Sequence, residues 1–258
     1  MNHLKTPFSR RWLTAASLLA LACGACSSQS DVAKPGAVSE PPAKKTSVGK
    51  NVVVEVDGKS GARRVIVASE VVLREGQLEG FLTRKGGKEH EYILAADCDA
   101  KDIHKALLVA GAEAGQPVRF GPGNTVTSAT GSMIRVSMRY NKDGKVQTLP
   151  ASAWIMNALN NNQPLEHDWV FGGSRLIPDP DNKNRPPYYE ANIGDLIAVV
   201  NMPSAMLDLP VASAKALEMR QYVANKNNIP PLKTRVDVIL EVLPEKKGAP
   251  APEGQPGE

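Results

Sequence analysis

Through the first third of the region from residue 51 to 243, apolar and polar residues alternate in short runs. "NVVVEVDG", "RRVIVASEVVLR", "LEGFLTRKG" and "HEYILAAD" are rich in Val, Ile and Leu and too short for helices, so the pattern predicts strands. Asp57-Gly58, Glu75-Gly76 and Gly86-Gly87 punctuate them. Pairs such as Asp-Gly and Gly-Gly tolerate the positive φ of tight hairpin turns, which predicts an antiparallel meander. The period then changes. In "DCDAKDIHKALLVAGAEAG", Ile103, Leu107 and Ala110 recur at helical spacing. Asp99 is placed to cap that helix, Asp102 sits in its first turn, and Gly111 or Gly115 can end it.

Strand signals return in "PVRF", "SMIRVSMRY" and "KVQTLP", with Asp143-Gly144 as a hairpin turn. "ASAWIMNALN" reads as a short helix burying Trp154, Ile155 and Leu159, and "SAKALEMRQYVANK" as a helix with a weaker face. "DWVFGGSRLI" and "DLIAVVNM" read as buried strands flanking a Pro/Asp/Asn-rich loop at 178–192, and "TRVDVILEVL" closes the domain as a strand. Strands that run together, interrupted by helices, predict an α+β class: a mainly antiparallel or mixed sheet with two or three helices in a single globular domain, residues 51–243.

The N-terminus follows a different pattern. Lys5, Arg10 and Arg11 precede an apolar run from Trp12 to Ala22, too short to span a bilayer, which is the order of a secretory signal over residues 1–22. Leu19-Ala20-Leu21-Ala22-Cys23 resembles the lipobox of bacterial lipoproteins, in which the cysteine is acylated and becomes the new N-terminus; Cys26 is the alternative acceptor. With Cys23 lipidated, Cys26 and Cys98 remain as thiols able to pair. Residues 27–50 and 244–258, rich in Pro, Ala and Lys and without aromatics, read as a disordered tether and tail. The formal charge of +4 falls to +1 once residues 1–22 and their three cations are removed, so no electrostatic footprint for nucleic acid remains. The expected setting is the bacterial cell envelope or periplasm, with the domain outside the cytoplasm and held to the membrane by lipid.

Four segments, "REGQLEGFLTRKGGKEHE", "ILAADCDAKDIHKALLVAGAEAG", "DWVFGGSR" and "NIGDLIAVVNMPSAMLDLP", resemble the YdjY domain, a family of bacterial envelope proteins, over roughly residues 60–242. The resemblance implies a single module of that type and lends no activity or catalytic residue.

Candidate chemistry is sparse. His90 and His104 lie either side of "AADCDAKD", near Asp97, Cys98, Asp99 and Asp102, and imidazole, thiolate and carboxylate together suit a transition metal. Their spacing is not that of a known ligand motif, and Asp99 has a competing role as a cap. Asp179, Asp181, Asn182, Asn184 and Glu190 offer oxygen ligands for calcium, although Lys183 breaks the EF-hand pattern and Asp-Pro with Asn is ordinary turn chemistry. Ser174 and Arg175 in "FGGSR" suggest an anion cradle that lacks the lysine of a P-loop, and Arg175 with Asp195 could form an ion pair. Ser174 with His167 is the near-neighbour pair a hydrolase would need. "NMPSAMLDLPV" is a Met-rich segment suited to a buried loop or a peptide partner.

With no complete catalytic set, the sequence points away from an enzyme. It points to a lipid-anchored envelope protein whose non-catalytic domain binds an envelope component or a small ligand. Asp179, Asp181, Arg175, Tyr188 and Tyr189 are the candidate contacts, and no cofactor is required. The alternative is a metal-binding or metal-dependent module built on His90, His104, Asp97 and Cys98.

Overall fold

The structure, a computed structural model, describes residues 43–211 and 221–244. Five strands come first: Lys44–Gly49 (β1), Val52–Val56 (β2), Arg63–Val71 (β3), Gly80–Arg84 (β4) and Tyr92–Ala96 (β5). The helix Ala100–Ala110 (α1) follows, then a small ribbon of Arg119–Phe120 (β6) and Val126–Thr127 (β7). Met133–Lys142 (β8) and Lys145–Pro150 (β9) form a hairpin, followed by Ile155–Asn157 (β10), Gln163–Pro164 (β11) and Trp169–Phe171 (β12). Leu176–Ile177 (β13) and Tyr188–Tyr189 (β14) make a separate ribbon. The last strands are Ile197–Ala198 (β15), Leu207–Asp208 (β16), Tyr222–Ala224 (β17) and Arg235–Val242 (β18).

Eight of these strands close into a barrel in the order β3-β18-β8-β12-β16-β15-β4-β5, with β5 returning to β3 through Glu70↔Ala95 and Val71↔Leu94. Closure pairs the backbone edges that an open sheet would leave exposed. The first half of β3 pairs with β2 and its end with β5, so one strand edge serves two neighbours. β8 divides its edge in the same way between β12 and β9. Across β3, β18 and β8 the register aligns Val65, Leu240 and Val136, and next to them Val67, Val238 and Met138, all buried. The intervening positions face outward, where Arg139 pairs with its register partner Asp237 at 3.0 Å.

The expected α+β class is therefore wrong. Among the described residues α1 is the one α-helix, and the body is a β-barrel. "ASAWIMNALN" is a 3₁₀ turn at Ala151–Trp154 that runs straight into β10. Trp154 and Ile155 are both fully buried while Leu159 is 58% exposed, so the segment has no helical stripe to bury. Of "SAKALEMRQYVANK", residues 213–220 lie outside the described residues, and Tyr222–Ala224 is a strand paired with β10.

The meander also fails. β2 and β3 are antiparallel as expected, but β4 and β5 run parallel, joined by only residues 85–91. Such a return normally takes a dozen residues or more. It is tied down here by polar contacts described below. Finally, the tether expected over 27–50 gives way before β1. On the outer face a ladder of register partners, Lys45–Glu55 at 3.4 Å, Glu55–Arg64 at 3.4 Å and Arg64–Glu241 at 3.7 Å, joins β1 to the sheet. Residues 27–42 and the signal segment, with Cys23 and Cys26, lie outside the described residues.

The helix follows the sequence expectation closely. Asp99 has extended backbone and accepts from Lys101 N–H at 2.8 Å, and Gly111 ends the helix in the left-handed region at φ 97°. Ala100, Ile103, Ala106 and Leu107 form its buried face. Among the described residues no helix is long and apolar enough to cross a membrane.

Candidate functional site

The Pro-rich segment 178–187 connects β13 to β14, so the predicted loop is the crossing of a two-stranded ribbon. Two ion pairs shape it. At its base Arg175 grips Glu190 in a two-pronged contact, Nε–Oε2 at 2.6 Å and Nη2–Oε1 at 2.7 Å. In the crossing, the Asp179 carboxylate accepts from the backbone of Asp181 and Asn182 and from Arg185 Nη1 at 3.1 Å. Those donors hold Asp179 below the usual carboxylate range, the Asp181 N–H first and Arg185 next. Pro178, Pro180, Pro186 and Pro187 further restrict the backbone.

Strand alternation sends the two tyrosines of β14 in opposite directions. Tyr189 is buried, and its Oη accepts from Ser174 N–H at 3.2 Å and meets His104 Nδ1 at 2.7 Å. Burial pushes the tyrosine up and the imidazole down, which keeps both neutral. The His104 ring also packs edge-on against Phe171, with centroids 4.8 Å apart. Tyr188 is 45% exposed, beside Ile177 at 38%.

Under the crossing lies a groove of about 720 Å³. One wall carries Ile177, Tyr188 and the prolines, and the opposite side carries Arg84 from the end of β4 with Asp99 and Lys101 from the start of α1. Asn192 fastens the two sides: its Oδ1 accepts from Ala100 N–H at 2.9 Å and its Nδ2 donates to Asp99 at 3.0 Å. A volume of this size suits a small organic ligand or a few peptide residues.

Of the expected binding residues, the structure places Asp179, Asp181, Tyr188 and Tyr189 around this groove, while Arg175 clamps the base of the ribbon. Asp99, a suspected metal ligand, is the helix cap. The suspected metal set is dispersed. His90 precedes β5 and is exposed, whereas His104 follows it and packs against Tyr189. The five-residue strand between them spans about 16 Å. Asp97 pairs with Lys50 at 2.5 Å. Cys98 is buried and its thiol is pushed up to about 12, by burial above all and by the charges of Asp99, Asp102 and Asp97, with Arg84 opposing. Among the described residues no three His, Cys, Asp or Glu side chains gather as a metal site would need. Three of the five suspected calcium ligands are otherwise engaged: Asp179 and Asn182 cap their own turn, and Glu190 holds Arg175. Ser174 Oγ donates to the Ser204 carbonyl at 3.0 Å, and His167 is exposed, so no Ser–His pair forms. In the Met-rich segment Met206 is fully buried, as a core loop requires.

The expected Arg175–Asp195 pair is replaced by a different network. Asp195, fully buried, accepts from Tyr92 Oη at 2.7 Å, from Ser204 Oγ and from Lys88 Nζ at 3.1 Å; Lys88 also reaches Glu79 at 3.2 Å. Burial would lower Lys88, but Asp195 and then Glu79 outweigh it and hold the ammonium above its ordinary value. Lys88 lies in the 85–91 return, so this network pins the short parallel connection to the barrel wall. Sequence reasoning missed it, along with Arg84, Lys101 and Asn192. These residues come from segments far apart in the chain and carry no local pattern.

A family model described as the YdjY domain matches residues 52–241. Comparison with curated proteins returns no significant match, and comparison with solved structures returns none.

Proposed function

The chain belongs to the YdjY domain family, and from that starting point we propose that it is a bacterial envelope lipoprotein. Its barrel binds an envelope component or a small ligand, without chemistry of its own, in the groove beneath residues 178–187. The observation that carries this reading is the groove itself. It sets an exposed tyrosine and isoleucine on a wall stiffened by four prolines and two ion pairs, above a floor fixed by Asn192. A rigid, partly apolar concavity loses little entropy when a ligand enters. The signal-like start and the Cys23 lipobox support attachment to a membrane, and two or more acyl chains make a stable anchor. The metal alternative gains nothing from the placement of His90 and His104 on either side of β5.

A photo-reactive side chain at position 177, compared with one at exposed Val146 on β9, tests the groove in intact envelopes. The expected result is a discrete adduct from position 177 that Tyr188→Ala abolishes. Equal labelling from both positions, or none from 177, would overturn the reading. Replacement of Cys23 by Ser tests the anchor: acyl labelling and membrane retention should both be lost. Labelling that persists in Cys23→Ser and vanishes in Cys26→Ser would move the lipid to Cys26.

A further inference from the structure

The charges around the groove are unevenly used. Arg185 is neutralised by Asp179 and Arg175 by Glu190. Asp99 accepts from Lys101 N–H and Asn192 on one oxygen. The amides that open α1 are also taken, Ala100 N–H by Asn192 and Lys101 N–H by Asp99, so the helix end itself is not a vacant anion site. Two cations make no direct ion pair, although both act through their charge on the nearby Asp99 carboxylate. Neither Arg84 nor Lys101 forms an ion pair with any described residue. The one hydrogen bond of the Arg84 side chain among the described residues runs from Nε to the Cys98 carbonyl at 3.2 Å. That bond orients the guanidinium and leaves its outer nitrogens available. Its charge reaches the exposed wall of the groove, where it opposes the upward push that burial exerts on Tyr188.

We propose, on the reading that this groove is the binding site, that its ligand is an organic carboxylate. The anionic group lies against Arg84 and Lys101, and its apolar body lies on Tyr188, Ile177 and Pro187. The planar fork of a guanidinium matches a carboxylate in two parallel hydrogen bonds, and a neighbouring lysine adds a second cation. Asp99 and Asp181 on the same walls limit the charge the site accepts, which favours a monoanion over a phosphate dianion. The tyrosine face and the proline rings supply a surface for a ring or a prolyl residue. The carboxylate has two sources, the C-terminus of a peptide or a free small acid.

Calorimetry and NMR on the purified full chain separate the outcomes with four probes: hydrocinnamate, N-acetyl-Ala-Pro-Phe as the free acid, its C-terminal amide, and phenyl phosphate. The expected result is saturable binding of at least one carboxylate, with shifts at the Arg84 Nε–H and the Tyr188 ring. Binding of the amide and of phenyl phosphate should be weaker by about tenfold or more, the loss expected for a charge-assisted contact. Arg84→Gln and, separately, Lys101→Gln should each weaken the carboxylate by a similar factor, while Arg235→Gln, a cation outside the groove, should leave it unchanged. Tighter binding of the peptide acid assigns the ligand to a chain terminus, and tighter binding of hydrocinnamate assigns it to a small acid. Amide binding equal to the acid, indifference to both Gln variants, or no binding of either carboxylate would overturn the proposal. In those cases the photo-adduct at position 177 decides separately whether the groove binds anything.

Discussion

Replacing Lys88 with Met should destabilise the protein mainly through what it leaves behind. Asp195 is fully buried and holds three donors: Tyr92 Oη, Ser204 Oγ and Lys88 Nζ. Removing the ammonium keeps two hydroxyl donors but leaves a carboxylate without a countercharge in the interior. Breaking a buried pair from one side typically costs about 3–5 kcal/mol. Lys88 is itself 31% exposed, and the remaining hydroxyls still solvate Asp195, so about 1.5–3 kcal/mol is the better expectation here. The pH dependence gives the sharper test. It comes from the wild-type lysine. Its folded pKa is raised, so its contribution is complete below about 10.5 and disappears only as alkaline pH passes the folded value. Urea denaturation of wild type, Lys88→Met, Asp195→Asn and the double variant from neutral to alkaline pH measures this, the deficit of Lys88→Met narrowing as the lysine loses its proton. The double variant should recover part of the loss, because asparagine carries no charge to strand. A loss under about 0.5 kcal/mol with no pH dependence would show that Lys88 is an ordinary surface lysine and that the 85–91 return is held by something else.

Gly80→Ala should destabilise by about 1–3 kcal/mol, since a Cβ there would lie 1.9 Å from Tyr92 Cε1 and the ring is tethered through its hydroxyl to Asp195; a neutral result in urea denaturation would show that the ring can swing away. Asp99→Ala should cost about 0.5–2 kcal/mol by the same assay and Asp99→Asn less, because asparagine caps nearly as well; equal losses would contradict the capping role. Cys98, buried and with its thiol pushed up to about 12, should react with a disulfide reagent at least about 100-fold more slowly in the native protein than in urea; equal rates would mean that the thiol is open to solvent.

The parts of this fold that were legible are those encoded within a few residues. Asp143 and Gly144 take φ of 52° and 80°, and the hairpin predicted from that dipeptide forms between β8 and β9. Asp99 and Gly111 open and close α1 because capping depends on neighbours two to four positions away. Barrel closure has no such local code. It is made where Glu70 and Val71 meet Ala95 and Leu94, and those residues would look the same in an open sheet. The Gly86-Gly87 pair illustrates the ambiguity: Gly86 does adopt a positive φ of 77°, yet the turn it makes begins a parallel return and not a hairpin. The return is fastened through Lys88, whose partner Asp195 is more than a hundred residues away.

The same contrast runs through the candidate site. Tyr188, Asp179 and Asp181 were recognisable because prolines and turn-forming residues cluster around them, marking a rigid exposed crossing. Their counterparts across the groove, Arg84 and Lys101, come from a strand end and a helix start about a hundred residues earlier, and they face the same groove only because Asn192 draws that corner beneath the ribbon. Sequence proximity misled in the opposite direction for His90 and His104. They are fourteen positions apart, but a strand of five residues runs between them, which sends one to the solvent-exposed return and the other to the wall of Tyr189 and Phe171. Chain distance informs on shared chemistry only where no extended element intervenes. Here β5 both separates the histidines and carries Tyr92, whose hydroxyl meets Lys88 of the short return on the buried Asp195.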